Sequence, residues 1–205
     1  MLGEKDFDAW ADGYDASVEQ SDEEGSYPFA GYERVLGTIE RRVLAAGARR
    51  VLDVGFGTGT LTARLYDAGC EVWGEDFSGR MVELAQGRMP GAHLFQGDFS
   101  GGVADEIRRR RYDAIVATYS LHHLDDAGKV ALLRQLVGLL AEGGRLYVGD
   151  VAFATRAELE ACRAEAGERW DSDEVYFVYD ELRDALPGLT FERMSPCAGL
   201  LTLGA

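Results

Sequence analysis

Three glycines alternate with other residues directly behind an acidic one in Asp53-Val54-Gly55-Phe56-Gly57-Thr58-Gly59. Glycine is needed where the main chain takes a positive φ, or where a ligand must approach the backbone with no side chain between them. Three glycines so close together, between a strand pattern and a helix pattern, therefore predict a ligand laid against bare main chain. A dinucleotide is the first candidate, but its fingerprint needs a glycine three places after the second one, and here Thr60 stands at that distance from Gly57. Two further carboxylates end the next strand patterns. Asp76 in "VWGEDFS" lies about 20 residues beyond the glycines, where a carboxylate accepts both ribose hydroxyls in a doubly wound fold. Glu75 points to the other face of that strand. Asp98 ends the pattern "LFQGD". One carboxylate alone is a loop charge or a cap, and Ser78 already reads as the N-cap of "GRMVELAQ". Three in order, each after a strand, are much harder to explain that way.

His122 and His123 in "YDAIVATYSLHHL" follow the fourth strand pattern. Imidazole titrates near neutral pH and can serve as a general base, and the same pair can simply pack a loop and a helix start. With His93 they form no convincing set of partners at ligand spacing, so no metal is expected. Cys70, Cys162 and Cys197 are odd in number and far apart, which predicts buried free thiols. Trp10 and Tyr14 form either a lid over a ligand or the apolar stripe of a docked helix, and Tyr27 and Tyr32 are candidates to line a second pocket.

The elements that must position these residues alternate from residue 50 onward, "RVLDV", "TLTARLYDAG", "EVWGE", "SGRMVELAQGRM", "HLFQGD", "VADEIRRRR", "YDAIVAT", "DDAGKVALLRQLVGLLAEGG" and "RLYVGDVAF". Strands apolar on both faces and separated by helices imply parallel pairing through right-handed crossovers, with ligands at the carboxyl ends of the strands. The helix around "KVALLRQLVGLL" is predicted to bury Leu133, Leu136, Val137 and Leu140 and to end at Gly143 and Gly144. Ahead of the sheet stand two amphipathic stripes, Phe7, Trp10, Ala11 and Tyr14, then Tyr32, Val35, Leu36, Ile39 and Val43. Behind it, "LTFERMSPCAGLLTL" predicts two antiparallel strands broken at Pro196. The fold class is thus α/β, Rossmann-like, a mostly parallel seven-stranded sheet with a C-terminal antiparallel hairpin and helices on both faces.

The 205 residues, 46% hydrophobic, suffice for one domain with a substantial core. A net charge of −15 argues against nucleic-acid partners, the run Arg108 to Arg111 reading as a solvated helix end. No apolar run approaches the length needed to span a bilayer and the start lacks a leader pattern, so a cytoplasmic protein is expected, with no membrane partner, as a monomer or homodimer.

In acidic-x-Gly-x-Gly-x-Gly the sequence resembles the class I methyltransferases that use S-adenosylmethionine (SAM) and release S-adenosylhomocysteine (SAH). "YDAIVATYSLHHLDD" and "LLAEGGRLYVGDVAF" are similar to the family's fourth and fifth strand segments, and the beginning of the chain with "GTGTLTARL" is similar to the YrrT-like group of small bacterial proteins. The resemblance implies that Asp53, Gly55, Gly57, Gly59, Asp76, Asp98, Phe99, Tyr119 and Tyr14 bind the cofactor, Asp98 accepting from the adenine amino group. His122 and His123 become the catalytic candidates and the acceptor a small molecule. A single domain follows, with residues 1–48 as helical cap, 49–154 as SAM-binding core and 155–205 as acceptor-side helices and C-terminal strands. "TYSLHH" lacks the prolines and amide of the enzymes that methylate nucleobase amino groups. The alternative from another class is a non-catalytic SAM-binding sensor or partner subunit.

Overall fold

Strand β1 (Arg50–Val54) is buried at all but its first residue, and β4 (Tyr112–Thr118) is buried at all but Asp113 and its last. Strands apolar on both faces need cover on both, and alternate side chains sort accordingly. Val51, Ala114, Val116, Tyr147 and Val151 enter one core with Val35, Leu36 and Ile39 of helix α1 (Tyr32–Ala45), and Leu61 and Leu65 of α2 (Thr60–Asp67). Leu52, Ile115, Ala117, Leu146 and Val148 enter the opposite core with Leu132, Leu133 and Leu136 of α5 (Asp126–Val137). A computed structural model describes residue 18 and residues 21–205 of the chain. The stripe Phe7, Trp10, Ala11 and Tyr14 lies outside the described residues.

The remaining strands are β2 (Glu71–Asp76), β3 (His93–Gln96), β5 (Leu140–Phe153), β6 (Phe177–Val178), β7 (Thr190–Arg193) and β8 (Ala198–Gly204). The remaining helices are α3 (Gly79–Arg88), α4 (Asp105–Arg108), α6 (Arg156–Ala166) and α7 (Tyr179–Leu182). The sheet runs β3-β2-β1-β4-β5-β8-β7, with β6 pairing only with β5. Its first five strands pair in parallel, and β8 pairs antiparallel with both β5 and β7. This is the Rossmann-like order with a C-terminal hairpin expected from the sequence, with the two-residue β6 added. Because β1 lies between β2 and β4, the loops after β1 and β4 leave in different directions and open a crevice at the strands' carboxyl ends.

Two sequence expectations need correction. Helix α5 stops at Val137, capped at Gly138, rather than at Gly143 and Gly144. Leu139 and Leu140 continue its apolar spacing but join the sheet, where Leu139 O accepts from Tyr112 N at 3.0 Å and Leu140 pairs with Tyr112. Gly143, at φ 74, turns the chain within the irregular start of β5. Cys162 is only half-buried, whereas Cys70 and Cys197 are buried. The basic run is solvated as expected, with Arg108 paired to Asp105 and Arg110 lying 4.0 Å over the Trp73 ring. Among the described residues no helix is long and apolar enough to cross a membrane.

Candidate active site

The three glycines after β1 have three different reasons to be glycine. All take positive φ, at 72, 56 and 85° for Gly55, Gly57 and Gly59. A Cβ on Gly55 would stand 2.3 Å from Ser120 Cβ, because the β1 and β4 loops pass against each other there and Ser120 Oγ donates to Val54 O at 2.8 Å. Gly59 is the left-handed N-cap of α2, and its Cβ would press on Met89 and Ala85 of the α3 end. It lies outside the cavity lining. Gly57 has nothing within 4 Å of its would-be Cβ and opens directly onto a cavity of about 770 Å³.

That cavity, inside the usual range for a small-molecule site of roughly 300–1,000 Å³, gathers Gly55, Gly57, Asp76, Asp98, Phe99, Tyr119, His122 and His123 along its wall. Asp76 Oδ2 accepts from Gly57 N at 2.8 Å and Oδ1 from Ser78 N at 2.9 Å, which fixes the carboxylate beside the loop. Burial pushes its pKa up against these two hydrogen bonds. Asp98 caps the short turn that carries Phe99, accepting from Ser100 N at 2.9 Å. Glu75 does point away, its Oε2 accepting from Ala104 N at 2.7 Å on the other side of the sheet.

Asp53 stands apart from the cavity wall. It is 1% exposed beneath the glycine loop, and Thr62 Oγ1 donates to its Oδ2 at 2.5 Å, tying β1 to α2. Its Oδ1 is buried without a donor, and burial drives its pKa to about 7.

The far end of the cavity is built from side chains of distant segments. Tyr119 takes φ 50°, the positive-φ residue other than glycine among the described residues, and its ring packs on Phe29 and Tyr32. Such strain at a cavity wall costs about 1–3 kcal/mol and is typical of functional sites. It delivers the turn Leu121–His123. His122 Nδ1 donates to Asp150 Oδ1 at 2.7 Å, so its Nε2 faces Glu174 Oε2, 3.8 Å away. His123 Nδ1 is 3.0 Å from Glu174 Oε1. Burial opposes protonation of His122, but the charge and hydrogen bond of Asp150, aided by Glu174, hold its pKa above the ordinary value. For Glu174, burial raises the pKa, and the hydrogen bond from His123 with the charge of both imidazoles outweighs it, leaving it lowered. Lys129, fully buried, donates to Val175 O and so ties the segment bearing Glu174 to α5. Burial lowers the Lys129 pKa.

Tyr27 and Tyr176 both line this end and share a short hydroxyl–hydroxyl hydrogen bond, with Trp170 stacked 5.1 Å from Tyr27. Tyr179, three residues beyond Tyr176, stacks instead on Phe191. Tyr14 and Trp10 lie outside the described residues.

Asp150, Glu174 and Lys129 join the site without being marked as site residues by the sequence patterns. Asp150 left a signal, since a carboxylate inside the apolar run "LYVGDVAF" must find a partner if buried. Glu174 left none. The expectation that the histidines lack a ligating partner is corrected, because one ligand atom each from His122, His123 and Glu174 lies within 4.8 Å of the other two.

Comparison with known proteins places this architecture. Residues 51–144 match the sequence profile of the methyltransferase domain. A protein of Anoxybacillus flavithermus named as an uncharacterized methyltransferase is 34% identical over 89% of this chain and 83% of its own length. A Geobacillus kaustophilus protein of the same description is 37% identical over 77% and 73%. In fold, the chain is similar to DhpI in its complex with SAH, at a TM-score of 0.67 and 21% identity over 97% of this chain and 93% of that one. It is also similar to magnesium protoporphyrin IX methyltransferase from Synechocystis PCC 6803 with bound SAH, at 0.66 and 20% over 85% and 83%.

Proposed function

The chain belongs to the class I SAM-dependent methyltransferases, and from that premise we propose that it is a cytoplasmic enzyme that methylates a small-molecule acceptor with SAM. SAM supplies an electrophilic methyl group on a positively charged sulfur. The observation that carries this reading is the single cavity that joins the open face of Gly57 and the carboxylates of Asp76 and Asp98 to the imidazoles of His122 and His123.

The residues present fit such a cofactor. The main chain from Gly55 to Gly57 would hold its amino-acid end, since Gly57 faces the cavity with nothing within 4 Å of a would-be Cβ. Asp76, fixed by two backbone donors, keeps lone pairs for ribose hydroxyls, since each carboxylate oxygen accepts more than one hydrogen bond. Asp98 would accept from the adenine amino group, with Phe99 beside it on the cavity wall. Asp53 acts from beneath, by holding the loop on β1 and α2.

Methyl transfer is an in-line displacement, so these residues contribute mainly by fixing positions, an effect worth roughly 7–11 kcal/mol at best. His122 and His123 meet the acceptor and activate its nucleophilic atom. Among the described residues, the cavity lining carries Glu24, Asp76, Asp98, Asp171 and Glu174 against the single arginine Arg169, a balance that disfavours nucleic acid. A non-catalytic sensor has no use for a buried His–Asp pair held at 2.7 Å on the cavity wall.

The test is calorimetric titration with SAM and with SAH, followed by a screen of small thiols, hydroxyls, amines and carboxylates read as SAH release. Binding with turnover is expected. Binding without turnover on any acceptor would favour the sensor, and no binding would overturn the reading.

A further inference from the structure

We propose that His122, His123 and Glu174 form a binding site for a divalent transition-metal ion of the zinc class, at the acceptor end of the cavity. Three observations carry it. One ligand atom from each residue lies within 4.8 Å of the other two, and all three residues line the cavity. Ligands about 2.0–2.2 Å from a tetrahedral zinc ion lie roughly 3.3–3.6 Å from one another. The His122 Nε2 to Glu174 Oε2 distance of 3.8 Å and the His123 Nδ1 to Glu174 Oε1 distance of 3.0 Å bracket that spacing.

Asp150 supplies the second observation. It is 0% exposed, and it receives Leu121 N, Val151 N and the Nδ1 proton of His122. A carboxylate that fixes the far nitrogen of a histidine, and so turns the other nitrogen outward as a lone pair, is the usual support of a metal-ligating imidazole. The third is Glu174 Oε2, buried with no hydrogen-bond donor and facing the His122 nitrogen. A buried carboxylate whose Oε1 meets His123 and whose orphaned Oε2 faces His122 is a place where a cation removes the cost of burial.

Two histidines and one carboxylate leave coordination positions open toward the cavity, as in catalytic zinc sites with two histidines and a glutamate. This deepens the methyltransferase reading and rests on it in one respect, the class of acceptor. The open positions suit a thiol or hydroxyl, whose proton is released to water on coordination, because a bound cation lowers the pKa of such a ligand. The heteroatom then bonds to the methyl carbon as the methyl–sulfur bond breaks, and the electron pair stays on sulfur. The histidines would thus activate the acceptor by holding the ion instead of taking the proton.

The experiment uses the full chain carrying no histidine tag, stripped with a chelator and titrated with Zn2+ against a chromophoric competitor. Co2+ is then added as a spectroscopic probe, in the absence of SAM. Expected are one ion per chain and the intense visible absorption of four- or five-coordinate cobalt. Glu174→Gln and His123→Ala should each weaken binding at least about 100-fold, and Asp150→Asn, acting through His122, about 10- to 100-fold with a changed cobalt spectrum. His93→Ala, on β3 and away from the cavity, should bind as the wild type does. Circular dichroism identifies any variant that fails to fold, and the near-isosteric Glu174→Gln then carries the comparison. Failure of the wild type to bind one ion, or equal affinity in the wild type and Glu174→Gln, would overturn the proposal. SAM titration of the stripped protein reports on the methyltransferase reading separately, so either can fail alone.

Discussion

The two ends of the cavity are built by different means. At the glycine-loop end, polar atoms are satisfied by neighbouring main chain. Asp76 takes backbone protons from Gly57 and Ser78, Asp98 takes one from Ser100, and Gly57 leaves a clear surface. At the histidine end, side chains from distant segments meet one another, His122 on Asp150, His123 on Glu174 and Tyr27 on Tyr176. Main-chain donors are fixed by the fold itself, whereas a side-chain cluster depends on the identity of each residue in it. On the function proposed above, the first end holds the cofactor and the second meets the acceptor.

The contrast breaks most severely at Gly55. Alanine there would combine a positive φ, costing about 1–2 kcal/mol, with a Cβ 2.3 Å from Ser120 Cβ, an overpacking worth roughly 1–3 kcal/mol. Gly55→Ala should lower stability by about 2–5 kcal/mol, with both ends of the cavity damaged together. Chemical denaturation measures it, and an unchanged midpoint would mean that the two loops do not press on each other.

Asp53 supports the glycine-loop end from outside the cavity. Its folded pKa of about 7 exceeds the ordinary 3.8, so the folded state binds the proton more tightly than the unfolded state does. Its stabilising contribution is then complete below pH about 4 and declines as pH rises through about 7, by up to about 4 kcal/mol. Asp53→Asn should flatten that decline and recover on the order of 2 kcal/mol at pH 8. Denaturation midpoints across this window decide it, and parallel pH profiles for the two proteins would refute the assignment.

The smallest effect is expected at Lys129. Lys129→Met removes a costly buried amine and a hydrogen bond to Val175 O at once, so stability should change by less than about 1.5 kcal/mol. The Glu174 segment, however, loses its tie. Affinity for SAM should stay the same while KM for the acceptor rises about 10-fold, or about 1.4 kcal/mol. Equal losses at both ends would contradict the division between them.

That division also explains what was legible in the sequence. The strand order and the glycine-loop end depend on local patterns, such as apolar runs, alternate glycines and carboxylates at strand ends, all contiguous in the chain. Even there, the separate duty of Gly59 as a packed helix cap and the burial of Asp53 away from the cavity needed the fold. The end of α5 was misplaced because Leu139 and Leu140 prolong the helical spacing while pairing with β4 draws them into the sheet. The histidine end was half visible. His122, His123 and Tyr27 stood out as residue types, but Glu174 joins them only because Lys129 and the bond from Val175 N to His122 O draw its loop over the turn.

The most direct test of the account is calorimetric titration of SAM into the wild type and into Gly57→Val, with a thermal melt of each. The introduced isopropyl group would project into the cavity from a position held at φ 56°. Expected are stoichiometric binding by the wild type, at least about a 100-fold loss of affinity in the variant, and a variant that still unfolds cooperatively, weakened by about 1–2 kcal/mol from the positive φ alone. Full affinity in a folded Gly57→Val protein would contradict the placement of the cofactor against the glycine loop.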